Sequence, residues 1–129
     1  MTSWSAGNPL KIKYLIDLTK TTEINAVVID IKDYSGYVAY DIQVPEVEKY
    51  QAKEIIIPRI NRLIKKFHDE GIYVIARITI FQDPRLEQAR PNLAVKSKKT
   101  GGSWLDNKKL TWIDPAAEEV EADGAVVQF

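Results

Sequence analysis

Two short apolar runs constrain this chain more than any other feature. Asn25 to Lys32 reads Asn-Ala-Val-Val-Ile-Asp-Ile-Lys, and Ile72 to Ile80 reads Ile-Tyr-Val-Ile-Ala-Arg-Ile-Thr-Ile. Both are rich in β-branched residues and nearly continuous in apolar character, as expected of strands inside a parallel sheet. Each follows a helix signal. Asn8-Pro9 offers an N-cap and a preset first helical φ, and Leu10, Tyr14, Leu15 and Leu18 follow at helical spacing, which predicts a helix over 9–20. Pro58 precedes Ile60, Leu63, Ile64 and Phe67 in an i, i+3, i+4, i+7 stripe, and Gly71 stands where a left-handed C′ residue ends a helix. After Asp114-Pro115 a short helical stretch leads through Gly124 to Ala-Val-Val-Gln-Phe, a third repeat of helix then strand. Met1 to Ser5 adds the end of one earlier strand.

Helices alternating with apolar strands require βαβ crossovers and a parallel sheet, so the fold class is α/β. The turns entering the strands, at 21–24 and Gly71, are tight, whereas the stretches leaving them, 34–57 and 82–114, are long. In parallel α/β folds ligands bind at the carboxyl ends of strands, where those long loops begin.

Side-chain alternation sharpens this expectation. Val27, Ile29 and Ile31 share one face of the first strand, while Val28, Asp30 and Lys32 share the other, which turns charged toward its carboxyl end. In the second strand Ile75, Arg77 and Thr79 oppose Val74, Ala76, Ile78 and Ile80. Gln128 is the polar residue near the end of the last strand. Asp30, Lys32, Arg77 and Gln128 are thereby predicted to converge, as pore-facing residues do where a barrel opens into a site. A plain Asp30–Arg77 ion pair, or a buried polar network without chemistry, satisfies the same parity.

Eighteen basic residues balance eighteen acidic ones, so no net field draws the chain to nucleic acid or an anionic membrane. No apolar run approaches the roughly 20 residues of a membrane span, and the N-terminus lacks the pattern of a signal peptide. With no cysteine there is no thiolate metal site or cysteine nucleophile. Neither a Walker loop nor a Gly-x-Gly-x-x-Gly fingerprint occurs, and His68 is the single histidine, so no cofactor or metal is expected.

Several ordered motifs carry a family resemblance. Asn25 to Tyr40, Gly71 to Ile78, Phe81 to Pro84, Arg90 to Lys96 and Trp112 to Pro115 resemble bacterial domains of the putative glycosyl hydrolase family, relatives of the alpha-amylase-like barrels. Thr2 to Gly7 looks like the end of that family's first strand. The resemblance implies a (β/α)₈ TIM barrel acting on a poly- or oligosaccharide, in a protein that is exported or associated with the bacterial cell envelope. It carries Asp30, Lys32, Asp33 and Arg77 over as catalytic candidates. A TIM barrel takes about 250 residues, so the expectation for residues 1–129 is one truncated domain of about four parallel strands. Such a half-barrel would be inactive alone and prone to self-association through open sheet edges.

Glycosidic hydrolysis commonly needs two carboxyl groups, about 5–5.5 Å apart for retention or about 6.5–9.5 Å for inversion. Asp30 is the first candidate, with Lys32 and Arg77 orienting it and favouring its charged form; Asp33 has the opposite parity. Trp4, Tyr34 and Trp104, with Tyr37, Tyr40 and Trp112, are the aromatics placed to stack on sugar rings or simply to pack their own loops. Trp104, beside Gly101-Gly102, is expected to be the exposed one. Saccharide binding without turnover uses the same aromatics and needs no paired acid.

Overall fold

The computed structural model describes residues 1–117. In chain order the elements are α1 (Ser3–Ala6), α2 (Pro9–Thr21), β1 (Ala26–Lys32), α3 (Pro45–Lys49), α4 (Ile60–Asp69), β2 (Tyr73–Ile78) and α5 (Pro84–Ala89), with a 3₁₀ turn at Pro91–Leu93. The expected third helix and strand, including Gln128, lie outside the described residues.

Two compact units divide the chain. Among the described residues, the first takes Met1–Lys32, Val38–Asp41 and Lys53–Ile78; the second takes Asp33–Tyr37, Ile42–Ala52 and 79–117.

In the first unit β1 and β2 pair in parallel, with Ala26 opposite Tyr73, Val28 opposite Ile75 and Asp30 opposite Arg77. α2 starts and stops as the sequence predicts, and α4 stops at Gly71 as predicted. The Asn8 Oδ1 accepts from the amides of Leu10 (3.0 Å) and Lys11 (3.5 Å), capping α2 over Pro9. At its far end the hydroxyls of Thr21 and Thr22 bond back to the Leu18 carbonyl, competing with further helix. Past α4, Gly71 takes φ +73°. Its amide donates to the His68 carbonyl and that of Ile72 to the Phe67 carbonyl, both at 2.9 Å. This 5→2 and 6→1 pair is a Schellman stop, and it delivers the chain directly into β2.

The helix-side core consists of Ile12 and Ile16 from α2, Leu63 and Phe67 from α4, and Ile29 and Ile31 from β1, all buried. The other face of the sheet is more exposed along the first part of the strands. There Val28 is 37% exposed, Ile75 42% and Tyr73 68%. The predicted parity is therefore visible as a difference in burial.

Two details differ from the expectation. Met1 donates its amino group to the Val28 carbonyl and accepts from the Asp30 amide (3.0 Å), the bonding of a parallel ladder on the edge of β1 away from β2. These bonds are confined to Met1, and the expected strand over Met1 to Ser5 is not formed among the described residues. Thr2 then caps α1 through its hydroxyl, which accepts from the Ser5 amide, so Trp4 stands on a helical turn rather than at a strand end. Second, the register shifts between Asp30 and Lys32, which pair with the consecutive Arg77 and Ile78. Such a bulge interrupts the simple alternation that put Asp30 and Lys32 side by side.

The second unit is mostly loop. Leu93 and Ile113, with Leu86 and Ala117 packed on them, form its small core. Single bridges at Ala94–Ile113, Lys96–Ser103 and Leu105–Thr111 hold its long connection together. That connection is therefore held by isolated bridges rather than by a regular sheet.

Candidate functional site

Asp30 and Arg77 meet as predicted. Opposed in register near the carboxyl ends of β1 and β2, they form a bidentate pair: the Arg77 Nε donates to Asp30 Oδ1, and Nη2 donates to Oδ2 at 2.8 Å. This fork-to-fork geometry is the strongest orientation a guanidinium and a carboxylate can adopt. The pair is unequal in exposure. The Asp30 side chain is 10% exposed, whereas that of Arg77 is 66% exposed. Asp30 is thus a buried anchor with both oxygens occupied, and Arg77 extends from it toward solvent. Hydrogen bonding to Asp30, and then its charge, raise the Arg77 pKa above the ordinary arginine value. The guanidinium is a fixed cation.

The remaining candidates divide between the units. Lys32 is half-buried just past the bulge, and Trp4, 68% exposed, lies in the first unit. Asp33, Tyr34 and Trp104 belong to the second unit. Asp33 Oδ1 accepts from the amide (2.9 Å) and hydroxyl (2.5 Å) of Ser35, an Asx turn that leads into Gly36. Tyr34 is 58% exposed and Trp104 44%, so Trp4 exceeds the tryptophan expected to be most open.

Sequence patterns did not single out two organisers of the second unit. The Arg85 guanidinium lies 4.9 Å from the Tyr37 ring centroid and donates to the carbonyls of Tyr50 (3.5 Å) and Gln51 (3.1 Å). Asp106 accepts from Gln82 Nε2 (3.3 Å), Trp112 Nε1 (3.1 Å), and the amides of Lys108 (2.8 Å) and Leu110 (2.9 Å). The Leu110 amide is the largest influence holding the Asp106 carboxyl below its ordinary pKa, with Trp112 and Lys108 adding to it against desolvation. Asp106 thereby ties together Gln82 and Trp112, from two of the motifs quoted above. Tyr37 and Trp112 are consequently committed to packing and hydrogen bonding within their own unit. Composition gives no such signal; the nearest is Asp106-Asn107, a turn-forming dipeptide.

Among the described residues no cluster of three or more His, Asp or Glu side chains is placed to hold a metal ion, and no helix is long and apolar enough to cross a membrane.

A parallel strand pair alternating with helices, with an ionic pair near its carboxyl end, places the chain in the α/β class. The family follows from comparison. A family model described as "Putative glycosyl hydrolase domain" matches residues 1–123, and the chain belongs to that family. A crystal structure of a hypothetical protein from Ruminiclostridium thermocellum ATCC 27405 is similar, with a TM-score of 0.86 and 43% identity over 92% of this chain and 62% of that one. The chain thus spans less than two thirds of this relative. No curated protein matches it.

Proposed function

We propose that the chain folds as part of a (β/α)₈ barrel, residues 1–129 belonging to one barrel domain, and that it serves glycosidic bond hydrolysis at the carboxyl ends of β1 and β2. Three observations support the barrel: the parallel pairing of β1 and β2, the alternation of α2, β1, α4 and β2 along the chain, and the ionic pair near the carboxyl ends of the two strands. The observation that carries the functional reading is the bidentate Asp30–Arg77 pair.

A carboxylate bonded through both oxygens to a guanidinium has no proton to donate. Asp30 therefore suits the nucleophile or water-activating role, with the leaving-group proton coming from a second carboxyl group. Each Asp30 oxygen retains lone-pair capacity beyond its bond to Arg77. Arg77, fixed and solvent-facing, presents its remaining N–H donors to sugar hydroxyls or to negative charge developing in the transition state. Asp33, holding its own turn, is the weaker carboxylate.

One observation favours a second reading, saccharide binding without turnover. Both Asp30 oxygens are already engaged, so the pair can act purely as a mount for Arg77. Release of reducing ends from a panel of glycans by the purified protein and by Asp30→Asn separates the two. Hydrolysis lost about 10²-fold or more in Asp30→Asn, with the fold retained, supports the catalytic reading. Hydrolysis unchanged in Asp30→Asn refutes it, and glycan binding without turnover in both proteins favours the mount.

A further inference from the structure

On the helix side of the first unit a groove runs between the start of α2 and the length of α4, enclosing about 930 Å³. It continues across Gly7 and Pro9 into a second cleft of about 530 Å³ beside Trp4, Asn8, Glu54 and Ile55. Asp30, Lys32 and Arg77 line neither. Gly7 lies where the two meet, and a Cβ there would fall 2.3 Å from the Ile56 carbonyl oxygen. The backbones approach too closely for any side chain to divide the trough.

Its charge is one-sided. Two acidic residues line the larger groove, and both are paired: Asp69 with Lys65 (2.7 Å) and Glu70 with Lys20 (3.0 Å). Arg59, Arg62 and Lys66 also line it, all exposed and none in an ion pair with a carboxylate among the described residues. At a helical rise of 1.5 Å per residue Arg62 and Lys66 stand about 6 Å apart along α4 on one face, and Arg59 is the residue that precedes the helix. The floor beneath them is apolar, from Ile12, Ile57 and Leu63. At the other end, the Trp4 indole offers a large flat apolar face, and the Glu54 carboxylate is an acceptor for hydroxyl groups.

The geometry points to a holding groove for a polyuronate, a glycan carrying one carboxylate per ring. A neutral chain leaves three unpaired cations unanswered, and an anion without sugar rings makes no use of Trp4. A polyuronate uses both: regularly spaced carboxylates against Arg59, Arg62 and Lys66, and a sugar face against Trp4 with its hydroxyls toward Glu54. The inference rests on the reading of the chain as a glycan-handling protein, but not on turnover at Asp30.

Calorimetric titration of the purified protein with hexagalacturonate, cellohexaose and inorganic polyphosphate tests it. Hexagalacturonate should bind with an affinity that falls as salt is raised. It should bind at least about tenfold more weakly to Arg62→Gln/Lys66→Gln and several-fold more weakly to Trp4→Ala, while Arg62→Lys retains part of the binding. Both altered sites are exposed, and circular dichroism confirms that the variants fold. Absence of hexagalacturonate binding overturns the proposal, as does binding unchanged in the double variant. Equal binding of polyphosphate with no effect of Trp4→Ala overturns it too, showing adsorption to charge alone. Because the readout is binding, a failed Asp30→Asn turnover test leaves this result standing, and the reverse also holds.

Discussion

Phe67→Ala should cripple the first unit without touching a polar group. Phe67 is completely buried, on the helix that packs against β2, and its carbonyl accepts the Ile72 amide that turns the chain into that strand. Truncation of a fully buried Phe removes its transfer free energy and leaves a cavity that the rigid neighbours fill only in part, costing about 3–5 kcal/mol. With a urea m-value of about 1–3 kcal/mol/M, a loss near 4 kcal/mol at m near 2 lowers the midpoint by about 2 M. That is a large share of the 5–15 kcal/mol typical of a domain. Urea titration followed by far-ultraviolet circular dichroism measures it, with Leu10→Ala as the companion variant. Leu10 is on α2 but 78% exposed, so its loss should stay within about 0.5 kcal/mol. A Phe67→Ala cost below about 1 kcal/mol, or equal costs for the two variants, would refute the assignment of α4 as the helix that seals the sheet.

Two glycines separate steric crowding from backbone strain. Both Gly36 (φ +83°) and Gly71 (φ +73°) are left-handed, but a Cβ at Gly36 would lie 2.4 Å from Asp83 Oδ1, whereas at Gly71 nothing lies within 4 Å. Gly71→Ala should cost about 1–2 kcal/mol and Gly36→Ala clearly more, with faster amide exchange over 33–37 and 83–90; equal costs would contradict the close packing of Gly36. Asp106 sets an acid limit on the second unit. Its folded pKa lies below the ordinary 3.8, so its contribution is fully present above that value and is lost as pH falls through the lower folded one. Tryptophan emission should therefore report a change at acidic pH that is absent in Asp106→Asn, and an identical acid profile in both proteins would count against the hub.

Local signals with a single physical cause were legible in the sequence. Asn8-Pro9, Gly71 and the two apolar runs each encode their structure within a few residues, so α2, the end of α4, β1 and β2 fall where predicted. The Asp30–Arg77 pair was legible for the same reason, since parity within each strand and parallel pairing leave one way to oppose them. Lys32 was less so because a bulge is a property of two strands together. Trp4 was misplaced onto a strand end because Thr2, a good cap, converts the residues after Met1 into a helical turn. Arg85 and Asp106 act on carbonyls, amides and rings scattered through long loops, and such partners leave no period to read. The unpaired cations on and just before α4 were hidden in a neutral total charge; they emerge only once Asp69 and Glu70 are seen to be paired with Lys65 and Lys20.

The central claim is that glycan engages the chain through the Asp30–Arg77 pair. Its most direct measurement is nitrogen-resolved NMR of the arginine side chains of the unaltered protein during titration with oligosaccharides from the panel used in the hydrolysis assay. The account predicts that the Arg77 Nε–H resonance shifts and saturates with the glycan, and that Arg77→Gln weakens binding by about tenfold or more. Glycan binding that saturates while the Arg77 resonance stays in place, with undiminished affinity in Arg77→Gln, would contradict it.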